Sequence, residues 1–212
     1  MFILSNQVLF PSVDLANQHG LLAIGGDLST ERLKLAYRSG IFPWYSKGQP
    51  ISWYSPNPRM VLFPDEIKIS KSMRQVIRSK RYSITYNQEF EKVISNCKAI
   101  DRSLQDQDDT WITEEMKVAY IKMHQEGWAK SVEVWENDEL VGGLYGVEVG
   151  SVFCGESMFS RVSNSSKMAL IALSKKNNNP YTLIDCQIYN DHLASLGARE
   201  IPRNNFLRYL IV

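Results

Sequence analysis

The stretch SVEVWENDELVGGLYGVEVGSVFCGESMF, residues 131–159, alternates apolar and polar residues over three runs and breaks twice at turn-forming residues. A period of two places successive side chains on opposite faces of a strand. Asn137-Asp138 and Gly150 fall where the chain must reverse, and each of these residue types adopts turn backbone at little cost. The runs 131–136, 139–149 and 151–159 are therefore expected to form an antiparallel meander. Working outward, 70–79 reads as a helix, YSITY (82–86) as a strand, and 88–97 and 113–126 as helices. Thr113 caps the last of these and Gly127 stops it. Beyond the meander, a helix at 165–177 leads to a strand at 182–188, a right-handed crossover unit. A helix at 190–196 ends at Gly197, and Asn177–Asn179 reads as a loop.

Five of the eight prolines lie between Pro43 and Pro64, among Trp44, Tyr45, Trp53 and Tyr54. That segment is expected to be an irregular aromatic layer. Before it, Gly25-Gly26 makes a turn, Ser29 caps a helix through TERLKLAYRS, and Gly40 closes it. These signals divide the chain into a small N-terminal domain, 1–63, and a larger domain, 64–212.

A chain of 212 residues can bury a sizeable core. Its net charge of +1 carries no global signal for nucleic acid, so any such binding must come from a local patch. Three widely separated cysteines, Cys97, Cys154 and Cys186, show no CxxC spacing, which argues against zinc and against a disulfide framework. The start, MFILSNQVLFPSV, lacks the basic region and small-residue cleavage site of a signal peptide. No apolar run approaches the length that spans a bilayer. A cytoplasmic protein is expected.

Two acids stand out because they sit in strands that otherwise read as buried. Glu156 lies between Gly155 and Ser157, and Asp185 lies two residues before Gln187. Ionised groups are rarely buried without a partner or a task. A purely structural Glu156, satisfied by backbone N–H groups or by Arg161, is the plainer reading of that acid taken alone; Asp185 on a neighbouring strand turns the balance towards a site. Alternation sets Asp185 and Gln187 on one face and Cys186 on the other. A Cys–His mechanism using Cys154 or Cys186 with His192 is set well behind, since a cysteine in an apolar strand is usually inert core.

Six blocks carry a resemblance: GLLAIGGDLS (20–29), AYRSGIFPWYS (36–46), WYSPNPRMVLFP (53–64), TWIT (110–113), FCGESMFSR (153–161) and LIDCQIYNDHLASLGA (183–198). Together, in this order, they resemble the leucyl/phenylalanyl-tRNA–protein transferase family from about Phe10 to Tyr209. The resemblance implies an α+β fold: the small N-terminal domain plus an acetyltransferase-like (GNAT) domain with a mixed, largely antiparallel sheet. It implies transfer of Leu or Phe, and also Met, from aminoacyl-tRNA to the N-terminal α-amine of proteins beginning with Arg or Lys, which marks them for N-degron proteolysis. No cofactor and no metal are implied, because ester aminolysis runs downhill. A monomer is expected.

By the same resemblance Asp185, Gln187 and Glu156 line the reaction centre. Asp185 is expected to pair with the acceptor's positive charge and to orient Gln187; an amide is a very weak base, so Gln187 is expected to orient the amine or the carbonyl while Asp185, a ribose hydroxyl or water takes the proton. Trp111, Leu144, Phe153, Met158, Leu170 and Ile184 are expected to line a slot for the donor side chain, though each also reads as ordinary core. Trp44 and Tyr37 offer platforms for the terminal adenine, with interdomain packing equally open for Tyr37. Lys68, Lys71, Arg74, Arg78, Lys80 and Arg81 form a cationic run with no acid from Ile67 to Gln88, expected to hold tRNA phosphates. A non-catalytic tRNA- or RNA-binding module would explain that run and Trp44, but it leaves the acids unused. An acyl-CoA enzyme is argued against by SRVSNSS (160–166), which has no glycine to cradle a pyrophosphate.

Overall fold

The computed structural model describes residues 2–100, 112–175 and 180–211. The chain opens with β1 (Phe2–Leu4) and β2 (Leu21–Gly25), then α1 (Thr30–Arg38), β3 (Phe42–Pro43) and β4 (Ser52–Tyr54). These strands form one sheet in the order β1-β2-β4-β3, with only the β1–β2 pair parallel. As expected, Ser29 caps α1, its hydroxyl accepting from the Arg32 N–H. Gly40 follows at φ +73°, a left-handed position that glycine takes up without strain. Pro43 is tolerated because β3 is an edge strand.

The second sheet has seven strands. Its first member, β5 (Arg59–Leu62), lies inside the segment expected to be irregular. After it come α2 (Lys71–Arg78), β6 (Ser83–Tyr86), α3 (Phe90–Lys98) and α4 (Glu114–Gln125). The meander follows as β7 (Ala129–Glu136), β8 (Glu139–Val149) and β9 (Val152–Ser160). Helix α5 (Ser165–Ser174) crosses over to β10 (Leu183–Gln187), and α6 (Asp191–Ser195), β11 (Arg199–Ile201) and α7 (Arg203–Leu207) complete the chain. The order is β11-β5-β10-β9-β8-β7-β6; β9 and β10 are parallel and every other pair is antiparallel. This is the expected acetyltransferase-like arrangement of meander, crossover helix and parallel strand.

β5 falls before residue 64, yet it pairs with β10 and β11 and so belongs to the second sheet. Its four residues are all buried, and a strand covered on both faces shows no alternation to read. The run Asn177–Asn179 lies outside the described residues.

Alternate residues of the large sheet enter two cores. Val61, Tyr145, Cys154 and Leu183 face α1, α3, α4 and the small sheet, while Leu62, Leu144, Phe153 and Ile184 face α5 and α2. The sheet approaches α5 closely because β8 carries Gly142 opposite it. A Cβ at Gly142 would stand 2.5 Å from both Cβ and Oγ of Ser165, and the Ser165 hydroxyl is tied to the Val141 and Val162 carbonyls. Gly142→Ala is expected to force the first turn of α5 off the sheet and to lower stability by about 1–3 kcal/mol, the usual cost of overpacking, read as a reduced urea midpoint.

Candidate active site

The parallel pair β9–β10 is in register from Leu183↔Val152 to Asp185↔Cys154, and there it ends. Both strands carry an extra residue at that level. Opposite β8, Tyr145 pairs with Ser157 and Gly146 with Gly155, leaving Glu156 unpaired. Opposite β5, Asp185 pairs with Val61 and Gln187 with Met60, leaving Cys186 unpaired. A bulge re-aims the side chains around it and bends its strand. Two bulges side by side let the strands part, and a cavity of about 500 Å³ opens between them.

Gln187 sits at φ +64°. The Ile188 N–H donates to the Cys186 carbonyl at 2.9 Å, closing a tight three-residue turn around it. A non-glycine residue held there costs about 1–3 kcal/mol, and such strain gathers at functional sites. Two hydrogen bonds hold it: the Gln187 N–H donates to Asp185 Oδ1 at 3.0 Å, and Gln187 Nε2 donates to Glu156 Oε1 at 2.8 Å.

Asp185 is fully buried and meets Arg59, itself 1% exposed, in a two-point ion pair: Nε–Oδ1 and Nη2–Oδ2, each 2.7 Å. Arg59 Nη1 donates to the Gly40 carbonyl at 3.2 Å, and the guanidinium lies over the rings of Phe42 and Phe206. Asp185 is therefore not open to an acceptor's cation, as the sequence suggested; its charge is answered inside the protein. Its Oδ1 also accepts from the Gln187 N–H, so the two residues expected to act together are in direct contact.

Among the described residues, Glu156 has no such counter-ion in contact. Its Oε2 accepts from the Tyr120 hydroxyl at 3.0 Å, and Tyr120 in turn meets the hydroxyl of Tyr37. Burial pushes the Glu156 carboxyl up to about 7; the two tyrosine hydroxyls oppose the rise, and the charge of Asp185 adds to it. Burial likewise raises the Tyr37 and Tyr120 phenols well above their ordinary value, with Glu156 the next cause. Burial, reinforced by Asp185, also raises the thiols of Cys154 and Cys186, which makes both poor nucleophiles. His192 lines the cavity, but burial and then Lys167 lower its pKa.

Leu144, Phe153, Met158, Leu170 and Ile184 line the cavity together with Trp44 and the three polar residues. Trp44 stands half-buried, edge-on to Tyr54 with 5.6 Å between ring centroids. Tyr37 is not a platform for a base: it is 1% exposed, packed edge-on against Tyr120, and spends its hydroxyl on the Glu156 network. Trp111 lies outside the described residues. Lys68, Lys71, Arg74, Arg78, Lys80 and Arg81 are all exposed, and α2 anchors Met73 in the core that walls the cavity. Arg81 is taken by Glu136; the other five carry no acidic partner among the described residues. No group of three His, Cys, Asp or Glu side chains among the described residues could hold a metal, and no described helix is long and apolar enough to cross a membrane.

Residues 61–211 match the family model for leucyl/phenylalanyl-tRNA protein transferase, and residues 26–57 match the model for its N-terminal domain. The chain belongs to this family. A curated member from Flavobacterium johnsoniae is 57% identical over 213 residues, covering 99% of each chain. Another from Christiangramia forsetii is 54% identical over the whole of both chains. A third, from Pectobacterium carotovorum, is 53% identical over 99% of this chain and 89% of its own. Among solved structures, a GCN5-related N-acetyltransferase from Kribbella flavida aligns over 84% of this chain and 63% of its own, at 9% identity and a TM-score of 0.36, a loose likeness. By its family the chain is an aminoacyltransferase.

Two further residues at the candidate site, Arg59 against Asp185 and Tyr120 against Glu156, were not singled out from the sequence. Arg59 carried a signal, since it opens the apolar run MVLF where a strand would not start on a bare charge. Tyr120 is one turn beyond Met116 on the buried face of α4 and reads as core. Arg59→Met leaves the Asp185 carboxylate buried without its counter-charge, and a loss of about 3–5 kcal/mol is expected in urea unfolding. Arg59→Met combined with Asp185→Asn is expected to lose clearly less than the sum of the two single variants, the mark of direct coupling.

Proposed function

We propose that this transferase moves Leu or Phe, and also Met, from aminoacyl-tRNA to the α-amine of proteins beginning with Arg or Lys, with Glu156 as the proton acceptor. The observation that carries this reading is a buried carboxyl that lines a largely apolar cavity, hydrogen-bonded to a strained glutamine and pushed up to about 7 by its burial. A general base works best when its pKa lies near the operating pH. The amine nitrogen attacks the aminoacyl carbonyl, forming the C–N bond. Glu156 takes the proton the amine sheds and hands it to the ribose oxygen as the bond from the carbonyl carbon to that oxygen breaks, so the leaving group departs as a hydroxyl and the carboxylate is restored. With Nε2 of Gln187 committed to Glu156, the Oε1 end of the same amide accepts a hydrogen bond from the amine and aims it. Asp185 acts through Gln187 as a positioning residue, fixed by Arg59. Holding the two reactants together contributes on the order of 7–11 kcal/mol to such a step.

In this reading the apolar walls, Leu144, Phe153, Met158, Leu170 and Ile184, take an unbranched donor side chain. Trp44 stacks on the terminal adenine. The unpaired cations from Lys68 to Lys80 hold phosphates by charge and shape, so that the attached amino acid is selected and the tRNA body is tolerated. The product carries a new N-terminal Leu or Phe and is thereby marked for proteolysis. A binding-only module is the second reading, favoured by the cationic run, but it gives no reason to bury Glu156 beside Gln187.

Radiolabelled Leu-tRNA and Phe-tRNA with peptides starting Arg, Lys or Ala separate the readings: transfer to Arg and Lys but not to Ala is expected, and tRNA binding without any transfer would overturn the enzyme reading. Glu156→Gln should lower kcat by about 10²–10⁴-fold and abolish the rise in rate through pH 7. The same group has a folded pKa of about 7, above its ordinary 4.5. The folded protein therefore binds more protons across that window, so stability falls as pH rises from about 4.5 to 7. Glu156→Gln should flatten that slope too. Replacing Lys71 and Arg74 by alanine should weaken tRNA binding and reduce the salt slope by roughly 0.7–0.9 for each phosphate that is no longer neutralised.

A further inference from the structure

A second cavity, of about 130 Å³, adjoins the donor cavity, with exposed Asn87 and Pro180 at its rim. The two share a wall made of Phe153 and Leu173, which line both. The second chamber is lined in part by polar side chains, those of Asn87, Lys130, Ser131 and Glu148. It falls a little short of the roughly 150 Å³ that binds a benzene-sized ring, a shortfall that the space vacated by a truncated Phe153 would make up. The donor cavity therefore ends at a partition and not at solid core.

Three contacts fix that partition. Phe153 lies against Gly146, where a Cβ would come within 2.6 Å of the ring's Cε1, so the ring occupies space that only glycine leaves open. On its far side the ring packs against Tyr181, with 5.3 Å between centroids. Tyr181 is held in turn, its hydroxyl donating to Glu148 Oε2 at 2.6 Å.

We propose that Phe153, braced by Gly146 and the Tyr181–Glu148 pair, is the size limit of the donor site: it holds back a chamber that would otherwise admit the second ring of an indole side chain. This rests on the transferase reading above. Opening the wall joins the chambers and extends the slot past a single aromatic ring. The polar groups at the far end suit an indole, whose N–H needs an acceptor when buried. Tyr181 is a positioning residue here, acting only through Phe153.

The test measures kcat/KM for transfer of Leu and of Trp from charged tRNA to a peptide starting with Arg. Phe153→Ala is expected to raise the Trp-to-Leu ratio at least about tenfold, within the range that modest pocket changes produce. Phe153→Leu, the milder truncation should the alanine variant fold poorly, is expected to raise it less. Tyr181→Phe frees the bracing ring from Glu148 and is expected to raise the ratio slightly, whereas a residue with a merely structural role would lower both donors together. Adding Val132→Phe to Phe153→Ala refills the chamber from β7 and is expected to bring the ratio back down. Leucine transfer with an unchanged ratio in both Phe153 variants overturns the inference alone. No leucine transfer by the unaltered protein overturns the transferase reading and this inference with it.

Discussion

The Arg59–Asp185 pair is the contact on which the rest of the site hangs. It joins β5 to β10, and through the Gly40 carbonyl and the Phe42 and Phe206 rings it ties together the end of α1, the small sheet and α7. Such a pair is not a strong net stabiliser against a well-packed apolar alternative, because both charges lose their water. Its value here is specificity. Only one register of β10 against β5 brings the carboxylate to the guanidinium, and the cost of missing that register is an unanswered charge in the core. The pair therefore sets the strand, and the strand sets Gln187.

Two carboxylates then stand in two environments. Asp185 faces a guanidinium, whereas Glu156 faces neutral donors, the Gln187 amide and the Tyr120 hydroxyl. Division of this sort lets one acid serve as a fixed strut while its neighbour exchanges a proton. The bulges are what bring the two within reach. Without the extra residue in each strand, β9 and β10 would continue side by side, and neither a cavity nor a glutamine aimed across it would exist.

Much of this was legible from the residues alone. The meander announced itself because β7, β8 and β9 are long and their turn residues fall at the corners, and the acids announced themselves because they interrupt apolar strands. The helix caps at Ser29 and Thr113 were readable because capping is local chemistry. What stayed hidden was non-local. β5 has four residues, all buried, and prolines on either side, so neither period nor composition marks it as a strand. Tyr37 looked like a stacking platform because an aromatic residue beside Trp44 in a motif carries no sign of which way it faces. Whether an acid meets a cation or a phenol depends on which strands become neighbours, and that is decided by the whole sheet.

The placing of β5 also bears on how the protein comes off the ribosome. Both of its neighbours in the sheet, β10 and β11, are made late, and Asp185 emerges 126 residues after the arginine that awaits it. At translation speeds of about 5–20 residues per second, that interval is roughly 6–25 s. Throughout it, the N-terminal unit and the meander can form, but the groove between β9 and β10 has no second bank. A chain cut before Leu183 lacks that bank altogether, and with it the Asp185 that answers Arg59 and the Gln187 held across to Glu156.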